Sequence, residues 1–170
     1  MHRAALAVPL AILLVAGGCT EGPGTESAIC VGVPEIALQG RVTDGANVLS
    51  GPDETRLSDH LASYERTTGH QMVIATADGL GAATPMEFAT CLGRRWGIGD
   101  KQRDDGILIL VAPNQRQSAI AVGYGLEKAL TDVEAKAVIR DMTPSFQKGA
   151  YVEGLSSGID AIAAQTGGKP

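Results

Sequence analysis

Apolar residues follow two different spacings along the chain after residue 40, and this alternation predicts helices interleaved with strands. Steps of three and four residues, which place side chains on one face of a helix, occur in four segments. Short runs of apolar and β-branched residues between them are typical of strands. The predicted helices cover residues 52–68, 84–96, a segment that begins after Thr131, and about 151–165, and the predicted strands cover residues 71–77, 107–112 and 118–123.

Local signals predict where these helices begin and end. Gly69 follows the first helix as a stop signal. Thr84 and Thr131 each stand three residues before a glutamate, which is the pattern of a capping box. Pro144 is expected to end the third helix, because proline lacks the backbone N–H that a helix interior needs.

The segment at residues 107–112 decides the fold class. It is apolar at every position, which indicates a strand that is buried on both faces. Residues 113–117 have the length of a hairpin turn, so the strand at residues 118–123 is expected to return antiparallel to it. The sequence therefore predicts an α/β fold, an α/β/α sandwich with a mixed central sheet that contains one antiparallel hairpin.

The first 39 residues differ in composition from the rest. Residues 1–18 combine a basic start with an apolar run too short for a comfortable membrane span, and Cys19 follows small residues, as in a bacterial lipoprotein signal peptide. The alternative is ordinary cleavage near Gly18 and a protein without lipid. Residues 19–39 are rich in Gly, Pro, Ser, Thr and Glu, which predicts a flexible tether.

These features predict one domain at residues 40–166 and a short tail at residues 167–170. The expected location is the periplasmic side of the cell envelope, where the lipid on Cys19 anchors the protein. The outer membrane is favoured if the host is Gram-negative, because Thr20 rather than aspartate follows the lipidated cysteine.

The charge balance narrows the choice of partners. The chain has 14 basic and 19 acidic residues, a net charge of −5. Loss of residues 1–18, which contain Arg3, leaves 13 basic against 19 acidic residues, a net charge of −6. Because the basic residues form no cluster, nucleic acid is not an expected partner, and contact with the membrane is expected only through the lipid.

Export also sets the chemistry of the cysteines. With Cys19 lipidated, Cys30 and Cys91 remain as a pair that an oxidising periplasm allows to form a disulfide. The alternative is a buried thiol at Cys91 and a reduced Cys30. A zinc site is not supported, because no CxxC motif is present and the three histidines are scattered.

The hairpin predicts a meeting of carboxylates. Asp104 and Asp105 precede its first strand and Glu127 follows its second, so antiparallel pairing brings them together, and Asp132 opens the next helix. Clustered carboxylates raise one another's proton affinity, and their hard oxygen ligands suit Ca²⁺ first and Mg²⁺ second. We therefore predict a shared cation site formed by these four residues.

Simpler interpretations of the same acids remain open. Asp104 and Asp105 are common turn formers, and the other two acids need no ligand at a helix start or on the surface. Lys101 and Arg103, in the same loop, are able to neutralise the cluster in place of a metal ion. The patterns of an EF-hand, a dinucleotide-binding loop, a P-loop and a Ser-His-Asp triad are not met.

Four blocks of sequence, in order, resemble the TPM domain family. Together they cover about residues 40–164. They are VTDGANVLS (residues 42–50), WGIGDK with DDGIL (residues 96–101 and 104–108), GYGLE with LTD (residues 123–127 and 130–132), and PSFQKGAY with GL (residues 144–151 and 154–155).

The resemblance implies an α/β/α sandwich like those of thylakoid lumen and bacterial envelope proteins. Some members are reported to bind calcium or to act as acid phosphatases, and others look like accessories in the assembly or repair of membrane complexes. The resemblance also adds Asp44 to the acidic site. Two positions depart from the family pattern: Asp105 stands where asparagine is common, and Lys128 stands where glycine is usual.

Two functions are consistent with these observations. The favoured one is a lipid-anchored, cation-binding accessory to membrane-protein complexes, because no residue is a clear nucleophile. The alternative is a metal-assisted acid phosphatase on phosphomonoesters, in which Asp104 and Asp105 are the candidate catalytic residues. A third interpretation gives calcium a structural role, in which it pins the loop at residues 97–106 to the helix at Asp132.

Overall fold

The alternating pattern folds into a layered domain in the computed structural model, which describes residues 30–167. These residues form four strands and four helices. In chain order they are β1 (Val42–Asp44), α1 (Gly51–Thr68), β2 (Met72–Thr76), α2 (Pro85–Trp96), β3 (Ile107–Ala112), β4 (Gln117–Val122), α3 (Asp132–Gln147) and α4 (Tyr151–Thr166).

The strands form a single mixed sheet in the order β1-β2-β3-β4. The first three strands are parallel, and β4 runs antiparallel to β3, with Ile107 opposite Val122 and Ala112 opposite Gln117. The predicted α/β class, with a mixed sheet that contains one antiparallel hairpin, is confirmed. The sequence pattern missed β1, because a strand of three residues with two polar positions has no readable period.

Helices cover both faces of the sheet, because alternate residues of β3 point to opposite sides. Ile107, Ile109 and Val111 pack in one buried cluster with side chains of α1, α3 and α4. Leu108 and Leu110 pack in a second buried cluster with α2. All six residues of β3 are buried, as their apolar character predicted, and β3 therefore fixes the position of whatever precedes it.

The capping signals act as predicted at three helix ends. Thr84 and Thr131 both form complete capping boxes with the glutamate three residues later. Gly69 ends α1 in the left-handed conformation, with φ of 74°, which glycine adopts at little cost.

The prediction that Pro144 ends the third helix is wrong. Helix α3 continues one turn further, to Gln147, with Pro144 inside it. Phe146, in this last turn, packs against the first cluster and stacks on Tyr151, with ring centroids 5.6 Å apart. Partial burial and stacking of this aromatic pair offset the loss of the backbone hydrogen bond that proline cannot make.

Residues 30–39, the second half of the predicted tether, pack against the domain. Cys30 and Val33 are buried in the second cluster, and Trp96 Nε1 donates a hydrogen bond of 2.9 Å to Ile36 O. A disulfide joins Cys30 to Cys91 on α2, with Cα atoms 5.1 Å apart. The packed part of the chain therefore begins no later than Cys30, ten residues before the predicted domain start.

Several predictions concern residues outside the described range. The signal peptide at residues 1–18, the lipidation of Cys19, the first part of the tether and the last three residues of the tail all lie there. Among residues 30–167, no helix combines the length and the apolar character needed to cross a bilayer.

Candidate functional site

The open end of the β3–β4 hairpin brings the two loops of the site together. Gly123 N donates a hydrogen bond of 2.9 Å to Gly106 O, and Gly125 N donates one of 2.8 Å to Asp104 O. Tyr124 N also donates to the Asp104 carboxylate, at 3.3 Å. The predicted juxtaposition of Asp104 with the segment after β4 is therefore present in the structure.

This close approach explains why glycine stands at both positions 123 and 125 of the GYG segment. A Cβ atom on Gly123 would lie 2.2 Å from Asp104 O, and one on Gly125 would lie 1.9 Å from Arg103 O. Asp104 itself adopts φ of 47°, the left-handed conformation that aspartate tolerates better than most residues. Glycine at both positions therefore lets the backbone at residues 103–104 sit directly on the segment after β4.

Asp105 points away from this meeting point and into the domain. Only 2% of the residue is exposed. Its Oδ1 accepts a hydrogen bond of 2.8 Å from Asp100 N, and its Oδ2 accepts from Arg103 Nε at 2.7 Å and contacts His70 Nδ1 at 2.9 Å. Both carboxylate oxygens are thus occupied by groups of the protein itself.

These contacts determine the charge state of Asp105. Burial by itself raises the pKa of a carboxylic acid, since it disfavours the charged form. The hydrogen bonds from Asp100 N, His70 and Arg103, together with the charge of Arg103, outweigh burial and lower the pKa of Asp105 from 3.8 to about 2. Asp105 is therefore a carboxylate at neutral pH and serves as the buried anchor of its loop.

The loop that carries both aspartates is fastened to the junction between α1 and β2. Arg103 donates to Gly69 O at 3.2 Å, and Gly99 N donates to the side chain of Gln71 at 2.7 Å. With the contact between Asp105 and His70, three consecutive residues at positions 69–71 hold the loop. Arg103 thus neutralises part of the acidic cluster, as one of the interpretations of the sequence proposed.

A cleft of about 470 Å³ opens on the other side of the loop. Asp104, Glu127 and Asp132 line it, and all three residues are exposed. Asp100 also lines the cleft, although hydrogen bonds to its Oδ1 from Arg103 N and Gln102 N lower the pKa of its carboxyl. Two basic residues, Arg94 on α2 and Lys101 in the loop, share the same walls.

Asp44 does not belong to this cleft. It ends β1, opposite Thr76, and Thr76 in turn lies opposite Val111 of β3. Asp105 precedes Val111 by six residues, so Asp44 lies roughly 20 Å from Asp105 along the strand direction. The Asp44 carboxylate accepts hydrogen bonds from Val48 N, Leu49 N and Thr76 Oγ1, which caps the turn after β1.

The five predicted ligands thus separate into three groups. Asp44 caps a turn at the far end of the sheet, Asp105 is a buried anchor, and Asp104, Glu127 and Asp132 face one cleft. In the side-chain arrangement of residues 30–167, no three His, Cys, Asp or Glu residues converge as a metal site. The donor chemistry of the cleft nevertheless fits a hard cation, because carboxylate oxygens are the ligands that Ca²⁺ and Mg²⁺ prefer.

Two features of the site escaped the sequence prediction. His70 appeared as an isolated histidine, because its contact with Asp105 spans 35 residues. The wall of the cleft formed by α2, which includes Met86, Thr90 and Arg94, was also missed. The sequence pattern that could have predicted this wall is the four-residue spacing of Met86, Thr90 and Arg94, which places them on the face of α2 opposite Phe88 and Leu92.

Comparisons with known proteins agree with this architecture. The sequence profile of the TPM domain matches residues 42–165, most of the chain. This chain belongs to the TPM domain family. No curated protein matches it significantly.

Three solved structures resemble this TPM domain. The N-terminal domain of a protein from P. gingivalis is 32% identical, with a TM-score of 0.68 over 78% of this chain and 87% of that one. The N-terminal domain of the cg2496 protein from Corynebacterium glutamicum is 14% identical, with a TM-score of 0.60 over 78% and 84% of the two chains. The BA42 protein from Bizionia argentinensis is 18% identical, with a TM-score of 0.60 over 69% and 83%. The last two support the fold alone.

The buried Asp105 carboxylate predicts a stability that depends on pH. Because folding lowers the pKa from 3.8 to about 2, the stabilisation is complete above about pH 4 and is lost as the pH falls through about 2. Asp105→Asn keeps the shape but removes the charge, so it should lower the free energy of unfolding by about 2 kcal/mol at pH 7. Urea unfolding followed by circular dichroism should show this difference shrinking below pH 4.

Asp141→Asn is a matched control, since Asp141 is exposed and its ion pair with Arg140 is on the surface. This variant should change the free energy of unfolding by less than about 0.5 kcal/mol at pH 7. A loss in Asp105→Asn that stays constant from pH 7 to pH 2.5 would contradict the assignment of the charge as the stabilising feature.

Proposed function

We propose that this TPM domain binds a divalent cation, Ca²⁺ in preference to Mg²⁺, at the cleft lined by Asp104, Glu127 and Asp132. The observation that carries the proposal is that these three exposed carboxylates line one cleft at the open end of the hairpin. Their side chains lie at the surface, where a change of rotamer costs little, so an arriving cation is able to gather them. Asp105 and Asp44 take no part.

The protein supplies a rigid base for such a cation. The buried carboxylate of Asp105 fixes the loop on one side, and the N-terminus of α3 carries Asp132 on the other. Between them, Gly125 N and Tyr124 N bind Asp104. A divalent ion would offset two of the three negative charges that line this cleft.

We further propose that the domain acts as an accessory to membrane-protein complexes of the cell envelope, held at the membrane by a lipid on Cys19. The support is the sequence of residues 1–19, which resembles a lipoprotein signal, and the family to which the chain belongs. Cys30, which is buried in the domain, follows Cys19 by only 11 residues, so a lipid on Cys19 would hold Cys30 within roughly 40 Å of the membrane. Chemical crosslinking in intact envelopes that captures no membrane protein would contradict this role.

Calcium titration by calorimetry tests the cation site. Three exposed carboxylates without a dedicated loop should bind Ca²⁺ with a dissociation constant on the order of 0.1–1 mM. Asp104→Asn, Glu127→Gln and Asp132→Asn should each weaken binding about tenfold, because each removes one charged ligand. Asparagine also tolerates the left-handed conformation at position 104, so that variant should keep its fold.

The control is again Asp141→Asn, which removes the same charge from an exposed site on α3 and should leave Ca²⁺ affinity unchanged within error. Asp44→Asn should also leave the affinity unchanged. The proposal fails if Ca²⁺ does not bind at 10 mM, or if Asp44→Asn weakens binding as strongly as Asp104→Asn does.

A second candidate function, metal-assisted hydrolysis of phosphomonoesters, is favoured by one observation. Lys101 lines the same cleft as the carboxylates, so the cleft offers a positive side chain to a phosphate group beside ligands for a metal ion. We expect p-nitrophenyl phosphate, incubated at pH 4–8 with Ca²⁺ or Mg²⁺, to be hydrolysed no faster by the protein than by Asp104→Asn. Turnover that Asp104→Asn abolishes and chelation removes would favour the phosphatase instead.

A further inference from the structure

A second cleft, of about 510 Å³, lies at the closed end of the β3–β4 hairpin, between the hairpin turn and the ends of α3 and α4 that meet there. Val111 and Ser118, which pair across the two strands, line it from the sheet. Of the described residues, none lines both this cleft and the acidic one. Its volume is within the range of sites that hold small molecules, roughly 300–1,000 Å³.

An aromatic pair lines this cleft from the helices. Phe146 of α3 and Tyr151, the first residue of α4, stack with ring centroids 5.6 Å apart and an angle of 25° between the ring planes. Both residues are half-buried, and Ile139 and Val111 add apolar surface beside them. Because aromatic rings favour offset stacking and edge-to-face contacts with other rings, this surface suits a flat aromatic group.

The polar side chains that line the cleft are available to a ligand. Thr143 is the exception, since its Oγ1 donates to Ile139 O at 2.7 Å. The others make no side-chain hydrogen bond or ion pair within the described part of the chain: Arg116, Gln117, Ser118, Gln147 and Tyr151. Apolar walls with a few convergent polar groups are the usual composition of a small-molecule site.

The charges around the cleft favour an anion. Arg116 is the single charged residue among the described residues that line it, and the exposed Lys148 lies beside the lining residues Gln147 and Gly149 in sequence. Three carboxylates on the surrounding segments are not in the lining: Asp78, which accepts from Asn114, Asp141, which pairs with Arg140, and Glu153 in the first turn of α4. One arginine balances a carboxylate fully but only half the charge of a phosphate dianion.

Arg116 also has a backbone conformation that disfavours arginine. Its φ is 53°, and Arg116 N donates to Pro113 O at 3.0 Å within the hairpin turn. The other non-glycine residues of the described chain with positive φ are Asn47 and Asp104, whose residue types tolerate this conformation best. Glycine would adopt it at less cost. An arginine kept in a strained position points to a role for its side chain.

We propose that this cleft binds a small aromatic carboxylate, whose ring packs against Phe146 and Tyr151 and whose carboxylate pairs with the guanidinium of Arg116. A bidentate arginine–carboxylate pair is strong and directional. Gln117 and Ser118 supply further hydrogen bonds beside it. The site depends neither on the cation site nor on the accessory role, because the acidic cleft is formed by other residues.

Indole-3-acetate is a suitable probe. It is titrated into the ¹⁵N-labelled protein with EDTA present, and amide shifts are followed by NMR. We expect a dissociation constant on the order of 1 mM, with the largest shifts at residues 116–118 and 143–151. Indole-3-acetamide, which lacks the charge, should bind about fivefold more weakly, and cyclohexaneacetate, which lacks the aromatic ring, about threefold more weakly.

Variants of Arg116 test its role in binding. Arg116→Gln should weaken binding of indole-3-acetate about fivefold, and Arg116→Lys, which keeps the charge, should weaken it less. Lys148→Gln is the matched control, since it removes a neighbouring positive charge that does not line the cleft. At physiological ionic strength it should change the affinity by less than about twofold.

Arg116→Gly separates binding from folding. Glycine relieves the positive φ, so this variant should melt no lower than the wild-type protein. It should nevertheless lose affinity for indole-3-acetate as Arg116→Gln does. Circular dichroism gives the melting temperature, and the same NMR titration gives the affinity.

Several outcomes would overturn the proposal. Two of them are no shift at residues 116–118 with 10 mM indole-3-acetate and equal affinity for indole-3-acetamide. Another is wild-type affinity in Arg116→Gln. A melting temperature of Arg116→Gly below that of the wild type would also overturn it, because Arg116 would then serve the fold. The calcium titration reports on Asp104, Glu127 and Asp132, so failure of the cation site and failure of this site are distinguishable.

Discussion

The buried carboxylate of Asp105 is the interaction on which the geometry of the site depends. It lies at the entrance of β3, where both its oxygens are engaged by Asp100 N, Arg103 and His70. A charge in this position is stable only because its partners replace water. By tying the loop to the junction of α1 and β2, it sets where the backbone of Asp104 meets the segment after β4.

Two neighbouring aspartates thus have opposite surroundings. Asp105 points inward and its pKa is lowered by hydrogen bonds, whereas Asp104 points to the cleft with Glu127 and Asp132. This division explains why two negative charges directly precede the apolar strand β3. The carboxylate of Asp105 holds the loop before the strand in place, and that of Asp104 faces solvent. The glycines at positions 123 and 125 make the division possible, because any side chain there would push the two loops apart.

Much of this fold could be predicted from the sequence, because periodicity and capping report local preferences. Strand β3 was predicted to the residue, and the hairpin places Asp104 against the segment after β4, as expected. What depended on distant contacts was not predictable: Phe146 carries α3 past Pro144, and Trp96 and Cys91 hold residues 30–36 on the domain. Spacing also could not tell which way Asp105 points, since that is decided by His70, 35 residues earlier.

A structure determined with Ca²⁺ present tests the central claim. This claim is that Asp104, Glu127 and Asp132 bind the cation, whereas Asp105 only anchors its loop. The account predicts one Ca²⁺ with carboxylate oxygens of at least two of the three exposed acids at about 2.3–2.6 Å. It also predicts that Asp105 keeps its contact with His70. A Ca²⁺ ion held by Asp105 or by Asp44, with the three exposed acids uninvolved, would contradict the account.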